Sequence, residues 1–219
     1  MRCIAHRGFA GEYAENTVGA VASAADIADW VEVDVRRCGT GELVVVHDET
    51  VDRVTDSTGE VAELSQAELA QLNVLGSDEG IPTLAEVLEV LPPSAGINVD
   101  LKENGLATDA VDVLGAHDGG VLISSFDAGV LAEVTVLADY PRALLVEADP
   151  EERLARAADL NCTAIHPHWD ICDERFVSRA HDANLTVNAW TIRDSVGAVS
   201  ARNAGVDGFI TDHSDFCAK

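Results

Sequence analysis

The chain has 219 residues, enough for one substantial domain, with 39 acidic residues against 14 basic ones and a formal net charge of -25. Such a charge repels nucleic acid and anionic membranes, and no stretch is apolar over a bilayer's thickness, so we expect no nucleic-acid partner and no stable membrane association. The only lysines are Lys102 and Lys219, and this acid-rich, lysine-poor composition indicates a halophilic protein that works in concentrated salt.

Short β-branched runs alternate with amphipathic helical stretches along the chain, a pattern that predicts βα units around a parallel sheet. The predicted strands are Arg2–His6, Trp30–Val35, Gly96–Leu101, Val121–Ser125, Arg142–Val146, Cys162–His166, Thr186–Trp190 and Gly208–Thr211. The predicted helices are Asn16–Ala28, Thr83–Leu91, Leu106–Ala116, Ala128–Ala138, Pro150–Asp159, Asp173–Ala183 and Asp194–Ala204, with Asn16, Thr83, Asp127, Asp149 and Asp173 as caps. Eight strands with intervening helices predict an α/β fold, a (β/α)8 TIM barrel in which residues 1–219 form a single domain.

Residues 42–47 interrupt this alternation. Only three residues, 39–41, separate them from the preceding strand, too few for a parallel crossover, so we expect an antiparallel hairpin. A two-residue turn places His47 on the face that carries Glu32 and Asp34, whereas a three-residue turn places it on the opposite face. We therefore expect an even-length turn or a bulge, within an insertion over about residues 36–81 that includes a short helix near Ser65–Leu72.

Ionisable side chains collect at the predicted strand ends, which converge on one mouth of a βα barrel. In strand order they are His6 and Arg7, Glu32 and Asp34, His47 on the appended strand, and Asp100 and Lys102; Trp190 closes the seventh barrel strand. Three carboxylates at one mouth repel each other unless a cation lies between them, and ligands that are all oxygen favour Mg2+ or Ca2+.

This set of residues favours metal-assisted phosphodiester cleavage. A divalent cation on the three carboxylates would polarise a phosphoryl oxygen, with Arg7 and Lys102 balancing further negative charge. His6 and His47 would serve as general acid and general base, in an order that the sequence leaves open. Each residue also has an ordinary interpretation: an acidic strand face is commonly solvated, and Trp190 is as compatible with core packing as with a substrate pocket.

Nine segments in this order resemble the glycerophosphodiester phosphodiesterase family. They are His6-Arg7-Gly8, Glu15-Asn16-Thr17, Glu32–Val35, His47-Asp48, Ile81–Leu84, Asn98–Lys102 with Ser124-Ser125-Phe126, Asn188–Thr191, and Gly205–Asp212. The resemblance implies a βα barrel with a small insertion after the second strand. It implies His6 and His47 as the acid–base pair, Glu32, Asp34 and Asp100 as metal ligands, Arg7 and Lys102 as phosphate contacts, and Trp190 beside the glycerol or leaving group.

Two positions differ from the family pattern: Ala14 stands where the family usually has proline, and Asp100 where it usually has glutamate. The shorter Asp100 side chain bears on metal preference. We therefore expect a divalent-metal-dependent hydrolase that converts glycerophosphodiesters into glycerol phosphate and an alcohol. The alternatives are a lysophospholipase D-type phosphodiesterase and a non-catalytic barrel that binds metal or phosphate. The head group, the choice between a cyclic phosphate and direct water attack, and the oligomeric state stay open.

Five scattered cysteines, odd in number and without a CxxC spacing, predict reduced thiols. The first residues enter a strand pattern without the apolar segment of a signal peptide. On both grounds we expect a cytoplasmic protein.

Overall fold

A computed structural model of the chain describes residues 1–217, in which parallel strands close into a barrel surrounded by helices. The strands are β1 (Arg2–His6), β2 (Trp30–Arg37), β3 (Leu43–Val45), β4 (Gly96–Leu101), β5 (Val121–Ser125), β6 (Arg142–Val146), β7 (Ala164–Pro167), β8 (Thr186–Ile192) and β9 (Gly208–Thr211). The helices are α1 (Val18–Ala25), α2 (Gln66–Leu69), α3 (Leu84–Val90), α4 (Ala107–Leu114), α5 (Ala128–Leu137), α6 (Pro150–Asp159), α7 (Glu174–Asp182) and α8 (Ser195–Ala204).

The barrel closes because β1 pairs in parallel with both β2 and β9. From β2 the ladder continues in parallel through β4 to β9, so that eight strands within residues 1–217 form the ring. This confirms the predicted TIM barrel. No described helix combines the length and the apolar character needed to cross a bilayer.

The two faces of β2 show how the sequence pattern directs the acids inward. Val31, Val33 and Val35 are fully buried in the main apolar core, together with residues of the surrounding helices such as Val21. Alternation along a strand then turns Glu32 and Asp34 toward the barrel interior. Helices therefore cover the valine face of β2.

The N-cap of helix α1 lies one residue later than predicted. The predicted cap was Asn16, but the side-chain oxygen of Thr17 accepts a hydrogen bond from the Ala20 N–H and is the N-cap. Asn16 adopts a positive φ of 61° and directs its amide to Asp34 instead. At α3 the predicted cap Thr83 is confirmed, in a reciprocal capping box with Glu86.

Strand β3 runs antiparallel to the end of β2, beyond the part of β2 that pairs with β1. The register pairs Val35 with Val45, and the turn has three residues, closed by a 3.0 Å hydrogen bond from Cys38 N–H to the Glu42 carbonyl. The expected even-length turn is therefore wrong. His47 still lies at the mouth, because β3 ends at Val45 and the alternation along the strand therefore does not determine where the His47 side chain points.

The segment between β3 and α3 builds an apolar cluster of its own. It includes the short helix α2 and a 3-10 turn at Val61–Glu63. The buried members of the cluster are Cys38, Val44, Val46, Val51, Val54, Val61, Leu69, Val74 and Ile81. Because Val44 and Val46 belong to this cluster, the segment holds the chain immediately before His47 in place.

A disulfide joins the first strand to the last residue that the structure describes. Cys3 on β1 and Cys217 form a disulfide, with Cα atoms 5.2 Å apart, so the expectation of five reduced thiols is wrong for this pair. The two cysteines are 214 positions apart, and only the pairing of β1 with β9 brings them together. Cys38, Cys162 and Cys172 are buried free thiols.

Candidate active site

The loop that follows β1 carries two of the candidate residues in an unusual backbone conformation. Arg7, Gly8 and Phe9 have consecutive positive φ angles of 51°, 76° and 66°. A Cβ on Gly8 would lie 2.8 Å from the Ala20 carbonyl carbon, so this turn requires glycine. The turn brings the Arg7 N–H to 3.0 Å from Glu32 Oε2, and three such residues in sequence are typical of a functional loop.

An acidic cluster lies at the mouth. Carboxylate oxygens of Glu32, Asp34 and Asp100 all lie within 4.8 Å of one another, and all three residues are buried. Asp34 and Asp100 are partners in the β2–β4 register, which explains their proximity. Burial, reinforced by repulsion from the other two acids, raises the pKa of Glu32 well above its ordinary value.

Two cations face this cluster. Lys102 Nζ lies 2.7 Å from Asp34 Oδ1 and also contacts Asp100, while Arg7 Nε lies 3.0 Å from Asp34 Oδ2. Burial alone would raise the pKa of Asp34, but the charges of Lys102 and Arg7 outweigh it and lower that pKa. For Asp100, burial prevails over the attraction of Lys102 and raises the pKa to about 6.

The donor set fits a divalent cation. Its ligands are carboxylate oxygens, the choice of hard ions such as Mg2+ and Ca2+. Asp100 Oδ1 is buried and has no hydrogen-bond partner among residues 1–217, which leaves it available as a ligand. The pKa values of Glu32 and Asp100 are raised although Lys102 and Arg7 lie nearby. These two side chains therefore do not supply enough positive charge to neutralise the three carboxylates.

His6, the last residue of β1, is oriented by a carboxylate. Its Nδ1–H donates to Asp212 Oδ1 over 2.5 Å, and Arg193 Nε donates to the other Asp212 oxygen over 2.7 Å. Burial would raise the pKa of Asp212, but the hydrogen bond from His6 lowers it, so the carboxylate stays charged. With Nδ1 engaged, Nε2 is the His6 nitrogen available to a substrate.

His47 has the same arrangement, supplied by a different part of the chain. Its Nδ1–H donates to Asp48 Oδ1 over 2.6 Å. Burial lowers the pKa of His47, and the opposing attraction of Asp34 does not cancel this effect. His47 is therefore a neutral imidazole near neutral pH, and its Nε2 is free to accept a proton.

An apolar wall completes the pocket. Phe126, Leu145, Ile210 and Trp190 contribute to its lining. Trp190 Nε1 donates to the His166 carbonyl over 2.7 Å, and the Phe126 ring meets the Trp190 ring edge-on with centroids 5.5 Å apart. Trp190 thus lines the pocket, one of the two alternatives that the sequence left open.

The pocket brings together every residue that the sequence singled out: His6, Arg7, Glu32, Asp34, His47, Asp100, Lys102 and Trp190. Sequence reasoning assigned no role in the site to four polar residues that contact members of this set: Glu15, Asn16, Asp48 and Asp212. It also assigned none to Arg53, which contacts Glu15 and Asp48, or to Arg193, which contacts Asp212. Four of these, Glu15, Asn16, Asp48 and Asp212, stand in the segments that carry the family resemblance, a signal that could have identified them. The sequence contained no comparable signal for Arg53 and Arg193.

Comparison with known proteins agrees with this geometry. The model of the glycerophosphoryl diester phosphodiesterase family matches residues 6–216. A glycerophosphodiester phosphodiesterase of Caldanaerobacter subterraneus subsp. tengcongensis is 30% identical over 225 residues, which cover 95% of this chain and 93% of that relative. These matches confirm the family resemblance that the motifs predicted.

Solved structures of the same family superpose on the whole barrel. A phosphodiesterase of Oleispira antarctica, in complex with the product sn-glycerol-3-phosphate, aligns with a TM-score of 0.91 at 33% identity, over 99% of this chain and 95% of that one. A glycerophosphodiester phosphodiesterase of Thermotoga maritima aligns with a TM-score of 0.85 at 25% identity, over 98% and 96% of the two chains. The similarity of fold therefore extends over nearly the whole chain.

Proposed function

This chain belongs to the glycerophosphoryl diester phosphodiesterase family, a family of hydrolases, and from that membership we propose that it cleaves glycerophosphodiesters by two-histidine acid–base catalysis. The products would be glycerol phosphate and an alcohol such as ethanolamine, choline or glycerol. His6 and His47 are the proposed acid–base pair, without an assignment of which acts first.

The observation that carries this proposal is the pair of histidine–carboxylate contacts. His6 and His47 line one pocket, and each has its Nδ1 held by its own carboxylate, Asp212 or Asp48. Each ring therefore offers Nε2 for proton transfer, as a general base and a general acid require. Acid–base help of this kind contributes about 10²–10⁴-fold per group.

Charge stabilisation at the phosphoryl group is the second part of the proposal. Glu32, Asp34 and Asp100 would hold one divalent cation, Mg2+ or Ca2+, which when bound supplies positive charge to phosphoryl oxygens. Arg7 and Lys102 border the same carboxylates and would contact the remaining phosphate oxygens. The buried ion pairs with Asp34 keep both cations ordered before substrate arrives.

The substrate class follows from the relatives and from the pocket wall. The Oleispira antarctica structure holds sn-glycerol-3-phosphate as product, which supports glycerol phosphate as the product here. Trp190 and Phe126 provide an apolar surface beside the charged half of the pocket, suited to the carbon skeleton of the glycerol or of the leaving alcohol.

The test is release of glycerol phosphate from glycerophosphoethanolamine in molar potassium chloride, with Mg2+, with Ca2+ and with excess chelator. We expect release with a divalent cation and none with chelator. His6→Asn and His47→Asn should each lower turnover by about 10²-fold or more while the fold is retained. Near-normal turnover in both variants would overturn the assignment, and preference for a lysophospholipid would favour the lysophospholipase D-type alternative.

The proposed setting is a cytoplasm with concentrated salt: the salt is inferred from the excess of acidic residues and the scarcity of lysine, and the cytoplasm from the scattered cysteines. The Cys3–Cys217 disulfide bears on this setting, because disulfides are uncommon in reducing compartments. Thiol titration of protein isolated from its native cells under alkylating conditions tests it. Two fewer free thiols than the sequence contains would argue against a reducing location.

A further inference from the structure

Arg53 has no role in the proposed chemistry itself, yet its guanidinium group links two parts of the candidate active site. Its Nε donates to Asp48 Oδ2 over 2.6 Å. Its two terminal nitrogens donate to the two oxygens of Glu15, over 2.9 and 2.8 Å. A planar guanidinium that engages one carboxylate with both terminal nitrogens and a second with Nε fixes the orientation of both.

Each of these carboxylates continues to a residue of the pocket. Asp48 accepts the Nδ1–H of His47 on its other oxygen, over 2.6 Å. Glu15 Oε1 also accepts from an Arg7 terminal nitrogen over 2.8 Å, and Arg7 in turn reaches Asp34. Arg53 thus links His47, through Asp48, to the proposed phosphate contact Arg7, through Glu15.

The Glu15 carboxylate depends on Arg53 because it is buried. Glu15 is 9% exposed, and burial would raise its pKa, but hydrogen bonds from Arg53 and Arg7 lower it, so the carboxylate is charged in a largely dry site. Removal of Arg53 would leave that charge with Arg7 alone. Glu15 and Arg7 would then rearrange, because a buried carboxylate needs its partners.

The backbone around Arg53 is anchored to the rest of the protein, so the position of the Arg53 side chain is defined from its base. Val51 and Val54 on either side are buried in the apolar cluster of the insertion. Val51 N–H donates to the Gly59 carbonyl and the Val54 carbonyl accepts from Leu75 N–H, over 3.0 and 2.8 Å. The side chain itself is half exposed and extends from this anchored turn toward the mouth.

We propose that Arg53 is a positioning residue: it sets the His47 ring through Asp48 and the Arg7 guanidinium through Glu15, and so couples the insertion to the catalytic mouth. This inference rests on the proposed function, in which His47 transfers a proton and Arg7 contacts phosphate. It predicts that one substitution disturbs two kinetic parameters, kcat through His47 and KM through Arg7.

The kinetic test compares Arg53→Gln with Arg53→Lys and with the control Arg179→Gln, which removes a surface arginine of α7 that pairs with Glu151. For Arg53→Gln we expect kcat/KM to fall by about 10–10²-fold, shared between a lower kcat and a higher KM, as misplacement of reacting groups by about 1 Å can cost this much. Arg53→Lys should recover part of the loss in kcat/KM, because an ammonium group keeps the positive charge but cannot bind two carboxylates in the planar geometry of a guanidinium group. The control should stay within about twofold of the unsubstituted protein.

A spectroscopic measurement makes the test independent of turnover. In the unsubstituted protein above the pKa of His47, long-range proton–nitrogen spectra should show a ring protonated at Nδ1. Arg53→Gln should move the ring nitrogen shifts toward a mixture of tautomers, and Arg179→Gln should not. Unchanged His47 shifts in Arg53→Gln would overturn the proposal, even where turnover falls.

The two proposals fail in different ways. Absence of glycerophosphodiester hydrolysis by the unsubstituted protein overturns the proposed function, while the His47 ring shifts still test Arg53. If Arg53→Gln does not fold, Arg53→Lys carries the test, and kinetics and ring shifts identical to those of the unsubstituted protein in that variant overturn the positioning role.

Discussion

Replacing Asp100 with asparagine should stabilise the cation-free protein at neutral pH while it abolishes tight cation binding. Burial, together with repulsion from Asp34, raises the pKa of Asp100 from 3.8 to about 6, against the attraction of Lys102. Because the carboxyl group holds its proton more tightly in the folded state, the folded protein binds more protons than the unfolded chain between about pH 4 and pH 6. The contribution of Asp100 to the free energy of unfolding therefore falls as pH rises through this window.

The magnitude follows from the same pKa values. A rise from 3.8 to about 6 corresponds to about 3 kcal/mol of free energy of unfolding, lost in full once pH exceeds 6. Asparagine does not ionise, so Asp100→Asn avoids this loss. We expect the cation-free variant to be more stable than the unsubstituted protein by up to about 3 kcal/mol near pH 7, and nearly equal to it near pH 4. This is the pattern of a functional residue that costs stability.

The assay is urea unfolding in molar potassium chloride with chelator, followed by circular dichroism at both pH values. Asp112→Asn, which replaces an exposed acid on α4, is the matched control and should change the free energy of unfolding by less than about 0.5 kcal/mol. Added Mg2+ or Ca2+ should stabilise the unsubstituted protein more than Asp100→Asn, because binding to the folded state adds to its stability. An Asp100→Asn variant that is less stable than the parent near pH 7, or a difference that does not change with pH, would refute this reasoning.

Three further predictions concern other parts of the molecule. Asp212→Asn should lower kcat by about 10²–10⁴-fold with little change in KM, because the amide no longer holds the His6 tautomer; steady-state kinetics that show less than a threefold change would contradict the role of Asp212. Cys217→Ser, or reductant added to the unsubstituted protein, should lower the free energy of unfolding by about 2–5 kcal/mol, measured by denaturant titration. Reductant should not change the free energy of unfolding of Cys217→Ser. If Cys217→Ser and the unsubstituted protein without reductant were equally stable, that result would argue against the disulfide. Thermal unfolding in increasing potassium chloride should show a rising Tm, since salt screens repulsion within a chain of net charge -25; a Tm that does not depend on salt would contradict the halophilic assignment.

The barrel fold and the residues at its mouth could be predicted from the sequence, because both depend on patterns among residues close together in the chain. Alternation of Val31, Glu32, Val33 and Asp34 has the period of a strand, and it identifies the inward face without knowledge of any other element. The same holds for the remaining barrel strands, whose β-branched runs are separated by helical stretches. The acids, histidines and cations were assigned to one mouth because parallel strands in a barrel direct their C-terminal ends to the same side.

The hairpin register and the N-cap of α1 could not be predicted from such short-range patterns. Two-residue and three-residue turns fit residues 39–41 equally well in sequence. In the structure the turn has three residues, with Gly41 at a φ of 103°, and Gly39 N–H donates to the distant Leu64 carbonyl over 2.7 Å. Asn16 is as good a cap as Thr17 by residue type, but Asp34 offers its amide a buried partner, so the cap moves by one residue.

By itself, the sequence determined the strand periodicity, the inward acids and the family, because these are recorded in residues close together along the chain. Only the tertiary structure decided which distant groups meet: Asp212 with His6, Cys217 with Cys3, and Arg53 with Glu15. Such pairs are separated by 206, 214 and 38 positions, and no local preference acts over those distances. They form because barrel closure and the packing of the segment between β3 and α3 bring fixed backbones within reach of a hydrogen bond or a disulfide.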